Sequence, residues 1–506
     1  MRLNSTLFQK NQVSRLGTTF LILLFALQSY AQSPNVLFII SDDLNTSIGP
    51  YMNINQHTPN LDRLAREGVR FERAYCQYPV CGPSRASLMS GLYPETNGVL
   101  SNNDQPGSYK VETPDLADHP SLAGFFREHG YYTARVSKIF HMGVPGGIER
   151  GDAGGDEPDS WDYAYNVMGP ETLSDGKLEL LSPDNLHYGS NFARMILPNG
   201  LEHTQTDYVA SSQAIAILEN RAAKPAENGT NKQKLKPDSP FFLAVGLVRP
   251  HVPLIAPEYC FEHYPEDEVQ LPSPKVADNV PEGALRRQNE KIWGMNESQQ
   301  KQTIGAYMAS VRFMDEQVGR LLNTLDRLEI RDETIVVFIS DHGYNLGEHA
   351  CWSKVSLWEG SVRVPMIISA PGYEDNYGST SESIVELIDL YPSLADLCNL
   401  SEQKPAILQG NSLLPIIRDH TTEASDTTAY TVSYGGNAGA VTTERWKYTR
   451  WDKQIKPNNE ELYDHQNDPE EKQNLADAPA YRKVLETLRM EFDKNRNLAN
   501  SALKNN

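Results

Sequence analysis

Apolar residues in this chain fall into two kinds of segment, short unbroken runs and longer stretches with helical spacing. Asn35–Ile40, Phe241–Val248 and Thr334–Ile339 are nearly continuous apolar runs, and such a run predicts a strand covered on both faces. Tyr131–Val136 and Val364–Ser369 read as further strands. Thr58-Pro59 opens a helical stretch with Leu61, Leu64 and Ala65 on one side, closed by Gly68. Ser121–His129, Tyr208–Leu218, a long amphipathic stretch from about Thr303 to Leu328, and Ile384–Leu397 are expected to be helical as well. Helices alternating with apolar strands predict an α/β fold, a large and mostly parallel sheet sandwiched by helices. From about Gly143 to Gly200 the periodicity fails, and Gly, Asp, Pro, Trp and Tyr dominate; such insertions often line clefts. After about Thr421 come short strand-like pieces (Tyr430–Tyr434, Ala440–Thr443, Trp446–Trp451) and a last helix near Arg482–Lys494. A small C-terminal α+β subdomain is expected over 421–506, with the main domain over 32–420.

Composition narrows the function. The 506 residues carry a formal charge of −20. The first 31 hold three basic side chains (Arg2, Lys10, Arg15) and no acidic ones, so the rest carries −23. A chain this acidic lacks the basic footprint of a nucleic-acid binder. Its 39% hydrophobic and 22% charged content is globular. The order of that first segment is basic residues, the apolar run Phe20–Leu27, then Ser29-Tyr30-Ala31. It predicts a secretory signal over 1–31, cut after Ala31, and a periplasmic or secreted protein. The run is too short to span a bilayer, and nothing later is apolar enough for membrane insertion. Five cysteines in so long a chain make no disulfide scaffold, and the odd number flags one with another use.

Two of the best strands end in acidic clusters, Ser41-Asp42-Asp43 and Ser340-Asp341-His342-Gly343. Ligands of open α/β sheets sit at the carboxyl ends of strands. Carboxylates converging from separate strands repel unless a cation joins them, which predicts a divalent metal; each cluster alone would equally suit a helix or turn cap. A third cluster is Val80-Cys81-Gly82-Pro83-Ser84-Arg85-Ala-Ser-Leu88-Met-Ser-Gly91. Pro83 and Ser84 suit a first helical turn, which leaves Cys81 at the positive end of a helix dipole with Arg85 one turn on. Such a cysteine is either a nucleophile or a buried structural thiol.

The run Cys81-x-Pro83-Ser84-Arg85-x-x-Leu88-x-x-Gly91 resembles the maturation signature of type I sulfatases. The likeness extends over nearly the whole mature chain, through Phe241–Gly246, Pro250-His251-x-Pro253 and Glu461-Leu-Tyr-Asp464, and is greatest to iduronate-2-sulfatase-like members. The resemblance implies an alkaline-phosphatase-like catalytic domain. It implies that a formylglycine-generating enzyme converts Cys81 to 3-oxoalanine (Cα-formylglycine), whose hydrate attacks the sulfur of a sulfate ester. It further implies that Asp42, Asp43, Asp341 and His342, with the modified Cys81, hold one divalent ion, Ca²⁺. By the same likeness Arg85 orients the hydrated aldehyde, Lys138 holds sulfate oxygens, and His141 helps break down the sulfated hemiacetal. His251 protonates the leaving sugar oxygen, and Lys354 clamps sulfate. Arg249 and Tyr344 would meet the substrate, Arg249 through an acidic group on it. Tyr344 and Cys351 depart from the iduronate-2-sulfatase pattern close to the expected sugar pocket.

The function expected is removal of a sulfate ester from a sulfated oligosaccharide or polysaccharide, at O2 of a uronate or pentose in an algal polysaccharide such as ulvan, or in a glycosaminoglycan. Two alternatives stay open: a phosphoester or phosphonate monoester hydrolase of the alkaline phosphatase superfamily, and a non-catalytic sulfated-glycan-binding protein with Cys81 unmodified.

Overall fold

Each unbroken apolar run has two faces to bury, and one sheet with helices on both sides meets that need. The computed structural model describes residues 33–51, 57–182, 192–222, 239–273, 276, 279–288, 293–424, 427–456 and 458–501. The expected leader, 1–31, lies outside the described residues. Among the described residues no helix is long and apolar enough to cross a membrane.

The main sheet comprises β1 (Asn35–Asp42), β2 (Val69–Tyr75), β3 (Tyr132–Ser137), β4 (Tyr163–Tyr165), β5 (Phe241–Pro250), β6 (Thr334–Ser340), β7 (Arg363–Ser369) and β8 (Thr380–Glu386). Their order is β8-β2-β7-β6-β1-β5-β3-β4, and β7 alone runs against its neighbours β6 and β2. Central β1 pairs in parallel with β5 on one side and β6 on the other. Alternation along it divides the core. Val36, Phe38 and Ile40 face a cluster shared with α2 (Cys81–Ser90), α3 (Leu122–Glu128) and α6 (Leu390–Leu397). Leu37 and Ile39 face α1 (Pro59–Arg66), α4 (Thr206–Ala222) and α5 (Glu297–Arg327).

Three sequence expectations change. The segment Ile384–Leu397 is not one helix: β8 runs to Glu386, a 3₁₀ turn covers Leu387–Asp389, and the helix starts at Leu390. Helix α5 begins six residues before Thr303, where Asn296 and Gln299 form a capping box. The irregular stretch 143–200 contributes β4 to the sheet edge and two strands of a separate three-stranded sheet, Lys177–Leu180 and Ala193–Leu197. The mixed, mostly parallel sheet is as expected, and so is the C-terminal α+β unit. That unit is an antiparallel sheet of β9 (Thr428–Ser433), β10 (Ala438–Thr443), β11 (Trp446–Arg450) and β12 (Glu460–Asp464), packed by α7 (Arg482–Ser501).

Helix α1 is capped from outside. Thr58 makes no side-chain cap, and buried Asp315 of α5 accepts from the backbone N–H of Asn60 at 3.1 Å and of Leu61 at 2.8 Å. Asp315→Ala leaves those donors without an acceptor in a dry contact and should lower stability by about 1–3 kcal/mol. A fall in the urea midpoint at unchanged slope is the expected readout.

Candidate active site

The carboxyl ends of β1, β3, β5 and β6 and the first turn of α2 converge on one point. Strand β1 shifts register against β5 between Ser41 and Asp42, and Asp43 adopts φ 66°. This turns two consecutive carboxylates toward the same place, with the kind of backbone strain that functional sites retain. Ser137, just before Lys138, is also at positive φ. Val80 is the residue preceding α2 and Cys81 its first residue, 1% exposed.

Asp42, Cys81, Asp341 and His342 each offer a ligand atom within 4.8 Å of the others, and Asp43, Cys81 and His251 form a second such set. His342 Nε2 lies 3.3 Å from both Cys81 Sγ and Asp43 Oδ1, while its Nδ1 lies 2.9 Å from the Gly343 carbonyl. A carbonyl only accepts, so Nδ1 carries a proton and Nε2 faces the carboxylates; burial lowers the imidazole, but Asp341 more than reverses this and raises it to about 9. That is the usual orientation of a ligating histidine. Asp42 Oδ1 and Asp43 Oδ2 are buried and accept no hydrogen bond. Burial pushes the Asp43 carboxyl above its usual range, and adjacent Asp42 adds to the push. Orphaned oxygens, crowded carboxylates and an aimed imidazole fit a divalent cation with an oxygen-rich shell.

Three cationic side chains face the three carboxylates. Lys138 Nζ donates to Asp42 Oδ2 at 2.5 Å, and Lys354 Nζ to Asp43 Oδ1 at 2.5 Å, 3.1 Å from Cys81 Sγ. Burial raises the Asp42 carboxyl, but Lys138 and its neighbours carry it well below the ordinary range. Burial and Asp42 raise the Cys81 thiol, and Lys138 and Lys354 more than reverse this. Arg85, fully buried, donates from Nε to Asp341 Oδ2 at 2.8 Å and from Nη1 to the carbonyls of Lys138 and Ile139. The carboxylates and cations balance, so a bound divalent ion would leave the pocket net positive within an acidic protein.

His251 Nε2 sits 3.8 Å from Asp43 Oδ2, and burial lowers its imidazole to about 4. His141 Nε2 sits 3.5 Å from Asp104 Oδ1, and burial with nearby Lys138 lowers its imidazole too.

Two expected substrate contacts are placed elsewhere. Arg249, 1% exposed, has Nη2 on Glu171 Oε2 at 2.6 Å and Nη1 on the carbonyls of His251 and Pro253. Its guanidinium is committed inside the protein, so an acidic group of the substrate would have to displace Glu171. Tyr344 is 3% exposed, stacked on Tyr307 at 5.7 Å and packed among Phe192 and Trp352; it lies in the apolar layer behind the site. Asp104, Glu171 and Asp207, which accepts from the Val248 and Arg249 N–H groups, were not among the residues the sequence singled out. Asp104 and Glu171 come from segments without periodicity or motif, and Asp207 is the second residue of α4, where helical spacing marks only the apolar face. The five cysteines are buried, and none of them forms a disulfide among the described residues.

Residues 34–400 match the sulfatase family, and 347–498 match the N-sulphoglucosamine sulphohydrolase C-terminal family. A sulfatase of Formosa agariphila is 32% identical over 472 residues, 91% of this chain and 87% of that protein. Human iduronate 2-sulfatase is 32% identical over 402 residues, 76% of this chain and 68% of its own length. The phosphonate monoester hydrolase of Agrobacterium radiobacter superposes with a TM-score of 0.69 at 20% identity, covering 92% of this chain and 96% of that one. The last likeness shows that the alkaline-phosphatase-like architecture alone does not choose between sulfur and phosphorus esters.

Proposed function

Because this chain belongs to the sulfatase family and is a sulfuric ester hydrolase, we propose that its substrate is a sulfated carbohydrate. The ester is a 2-O-sulfate of a uronate or pentose, in an algal polysaccharide such as ulvan or in a glycosaminoglycan. The observation that carries this reading is the convergence of Cys81, three carboxylates, His342, Lys138 and Lys354 at the sheet's carboxyl edge. The 2-O position rests on the likeness to iduronate 2-sulfatase.

Asp42, Asp43, Asp341 and His342 would hold one Ca²⁺, and Cys81 would be converted to 3-oxoalanine by a formylglycine-generating enzyme. When present, these groups supply positive charge beside the sulfuryl oxygens and a hydrated aldehyde as nucleophile. The chain's own side chains do the rest. Lys138 and Lys354 bind the sulfate oxygens where negative charge builds, the kind of preorganised electrostatics that usually contributes most. His251, neutral while the pocket is empty, takes a proton on Nε2 when the anionic ester binds and gives it to the departing sugar oxygen, which would otherwise leave as a poor alkoxide. His141, backed by Asp104, would take a proton from the group at position 81, and Arg85 keeps Asp341 and the Lys138 backbone in register. The basic, apolar and small-residue order of the first 31 residues supports export to the periplasm or medium.

The test is inorganic sulfate release from 2-O-, 3-O- and 6-O-sulfated oligosaccharides, using protein made with and without a maturation enzyme. The mass of the Cys81 peptide is checked in each preparation. Release confined to converted protein and 2-O-esters is expected. No release despite confirmed conversion would sink the substrate class. For the ion, Ca²⁺ added to stripped protein should raise the melting temperature, by about 2.7 kcal/mol of stabilisation at a hundredfold excess over Kd. Asp341→Asn should abolish that rise, and an unchanged rise would remove Asp341 from the site.

A further inference from the structure

His251 stands in a tight turn at the end of β5, and the short hydrogen bond of its ring is to that turn, with Asp43 Oδ2 3.8 Å from Nε2 on the other side. Its Nδ1 lies 2.6 Å from the carbonyl of the next residue, Val252, so Nδ1 donates and the ring direction follows the turn's own backbone. What fixes the turn therefore fixes Nε2.

The turn is held from three sides. Asp207 at the start of α4 accepts from the Val248 and Arg249 N–H groups at 2.7 and 2.9 Å. Ser41 Oγ donates to the Arg249 carbonyl at 2.8 Å. The third hold is the Arg249 side chain, which folds back so that Nη1 donates to the carbonyls of His251 at 3.0 Å and Pro253 at 3.2 Å. A guanidinium this deeply buried needs a counter-charge, and Glu171 provides it at 2.6 Å while itself fully buried. Thr206 Oγ1 donates to the other Glu171 oxygen. Glu171 adopts φ 37°, a strained value for a non-glycine residue that persists where surroundings enforce it. It belongs to the irregular stretch 143–200, otherwise remote in sequence from every residue of the site.

We propose that Glu171 is a positioning residue for leaving-group protonation: acting through Arg249, it holds the His251 turn so that Nε2 meets the departing sugar oxygen. This rests on the reading of His251 as the acid. Burial keeps the free imidazole neutral. The anionic sulfate ester beside it favours the charged form, so Nε2 gains a proton in the complex, passes it to the leaving oxygen as the bond to sulfur breaks, and returns to neutral imidazole. Removing the Glu171 charge leaves a buried cation that must draw in water or new acceptors, and the carbonyls it grips move with it. A displacement on the order of 1 Å costs about a hundredfold in rate. The irregular insertion thereby sets how poor a leaving group the enzyme can expel.

The measurement compares two esters, a 2-O-sulfated oligosaccharide, whose alkoxide needs the proton, and para-nitrophenyl sulfate, whose phenolate leaves unaided. Fully matured, full-length Glu171→Gln should lose about 100-fold in kcat on the sugar ester with KM little changed, and stay near wild type on the aryl ester. Glu171→Asp, which keeps the charge, should recover part of the loss. His251→Gln is the reference and should show the same selectivity more strongly. Equal losses on both esters with Glu171→Gln, or none on either, while His251→Gln remains selective, would overturn the role of Glu171. A non-selective His251→Gln would overturn the acid assignment and the inference with it. Should Glu171→Gln not fold, Thr206→Val, which removes the hydroxyl bracing Glu171, is read the same way: selective loss supports the proposal and equal loss overturns it.

Discussion

Cys81→Ala should end sulfate release, with a fall on the order of 10⁶ in kcat, as when a covalent nucleophile is removed, while the fold survives. The thiol makes few contacts: Sγ lies 3.1 Å from Lys354 Nζ, 3.3 Å from His342 Nε2 and 4.0 Å from Asp43 Oδ1. All three partners have other acceptors or donors within the cluster. Alanine is also the best helix former, so α2 loses nothing at its first residue. Losing one buried sulfur costs about 1 kcal/mol, and the melting temperature should change little. Residual release within tenfold of the matured wild type would show that position 81 is not the nucleophile. The measurement pairs a sulfate assay with a thermal melt, because a dead and unfolded variant would decide nothing.

The largest stability effect is expected far from the chemistry, at Lys447 of β11. This lysine is fully buried, with Nζ 2.9 Å from Glu471 Oε1 and 3.2 Å from Glu359 Oε1. His465 Nε2 is 3.1 Å from Glu471 Oε1, the Glu359 N–H donates to Glu471 Oε2, and Tyr75 OH donates to Glu359 Oε2. Tyr75 ends β2 of the main sheet, so the network rivets the C-terminal sheet to it. Lys447→Met leaves the buried Glu471 carboxylate facing the partly exposed Glu359 and should cost about 3 kcal/mol, read as a lower urea midpoint. Adding Glu471→Gln should recover part of that loss, the mark of a coupled pair. Burial alone would raise the Glu471 carboxyl, but Lys447 and His465 bring it well below the ordinary range. A depressed carboxylate contributes stability above its unfolded value of 4.5 and loses it as pH falls toward the folded value. Wild type should therefore weaken steeply below about pH 4.5, and Lys447→Met less steeply, so the two converge in acid. Parallel acid profiles would show that Lys447 does not hold Glu471 ionised.

Much of this architecture was legible because its central strands are apolar on both faces. Asn35–Ile40, Phe241–Val248 and Thr334–Ile339 read as strands on that ground, and the pairs Asp42-Asp43 and Asp341-His342 lie just after the first and last in sequence. Edge strands were harder. In Thr380–Glu386 one face is polar, and Ile384-Val385 runs straight into Leu387, Ile388 and Leu390 at helical spacing, so strand and helix merged into one apparent helix. Val69–Tyr75, one strand in from that edge, went unread because Arg70, Glu72 and Arg73 break up its apolar run. Within the site, residues carried by strand ends or by the Cys81 motif were readable one by one. Arg249 looked like a substrate contact because it stands two residues before His251. That Glu171 would claim its charge depends on a fold-back of the insertion that no periodicity announces.

Cys81 is sealed by parts of the chain that do not yet exist when it is made. Its nearest neighbours include Asp341, His342 and Lys354, more than 250 residues downstream, and they leave it 1% exposed. During synthesis the segment around Cys81 emerges long before its enclosure can assemble, and once the last strands dock, access to the sulfur closes. Under the proposed conversion of Cys81, a catalyst that oxidises this residue would have a window set by elongation and folding rates, and anything that hastens closure would lower the fraction of molecules born competent.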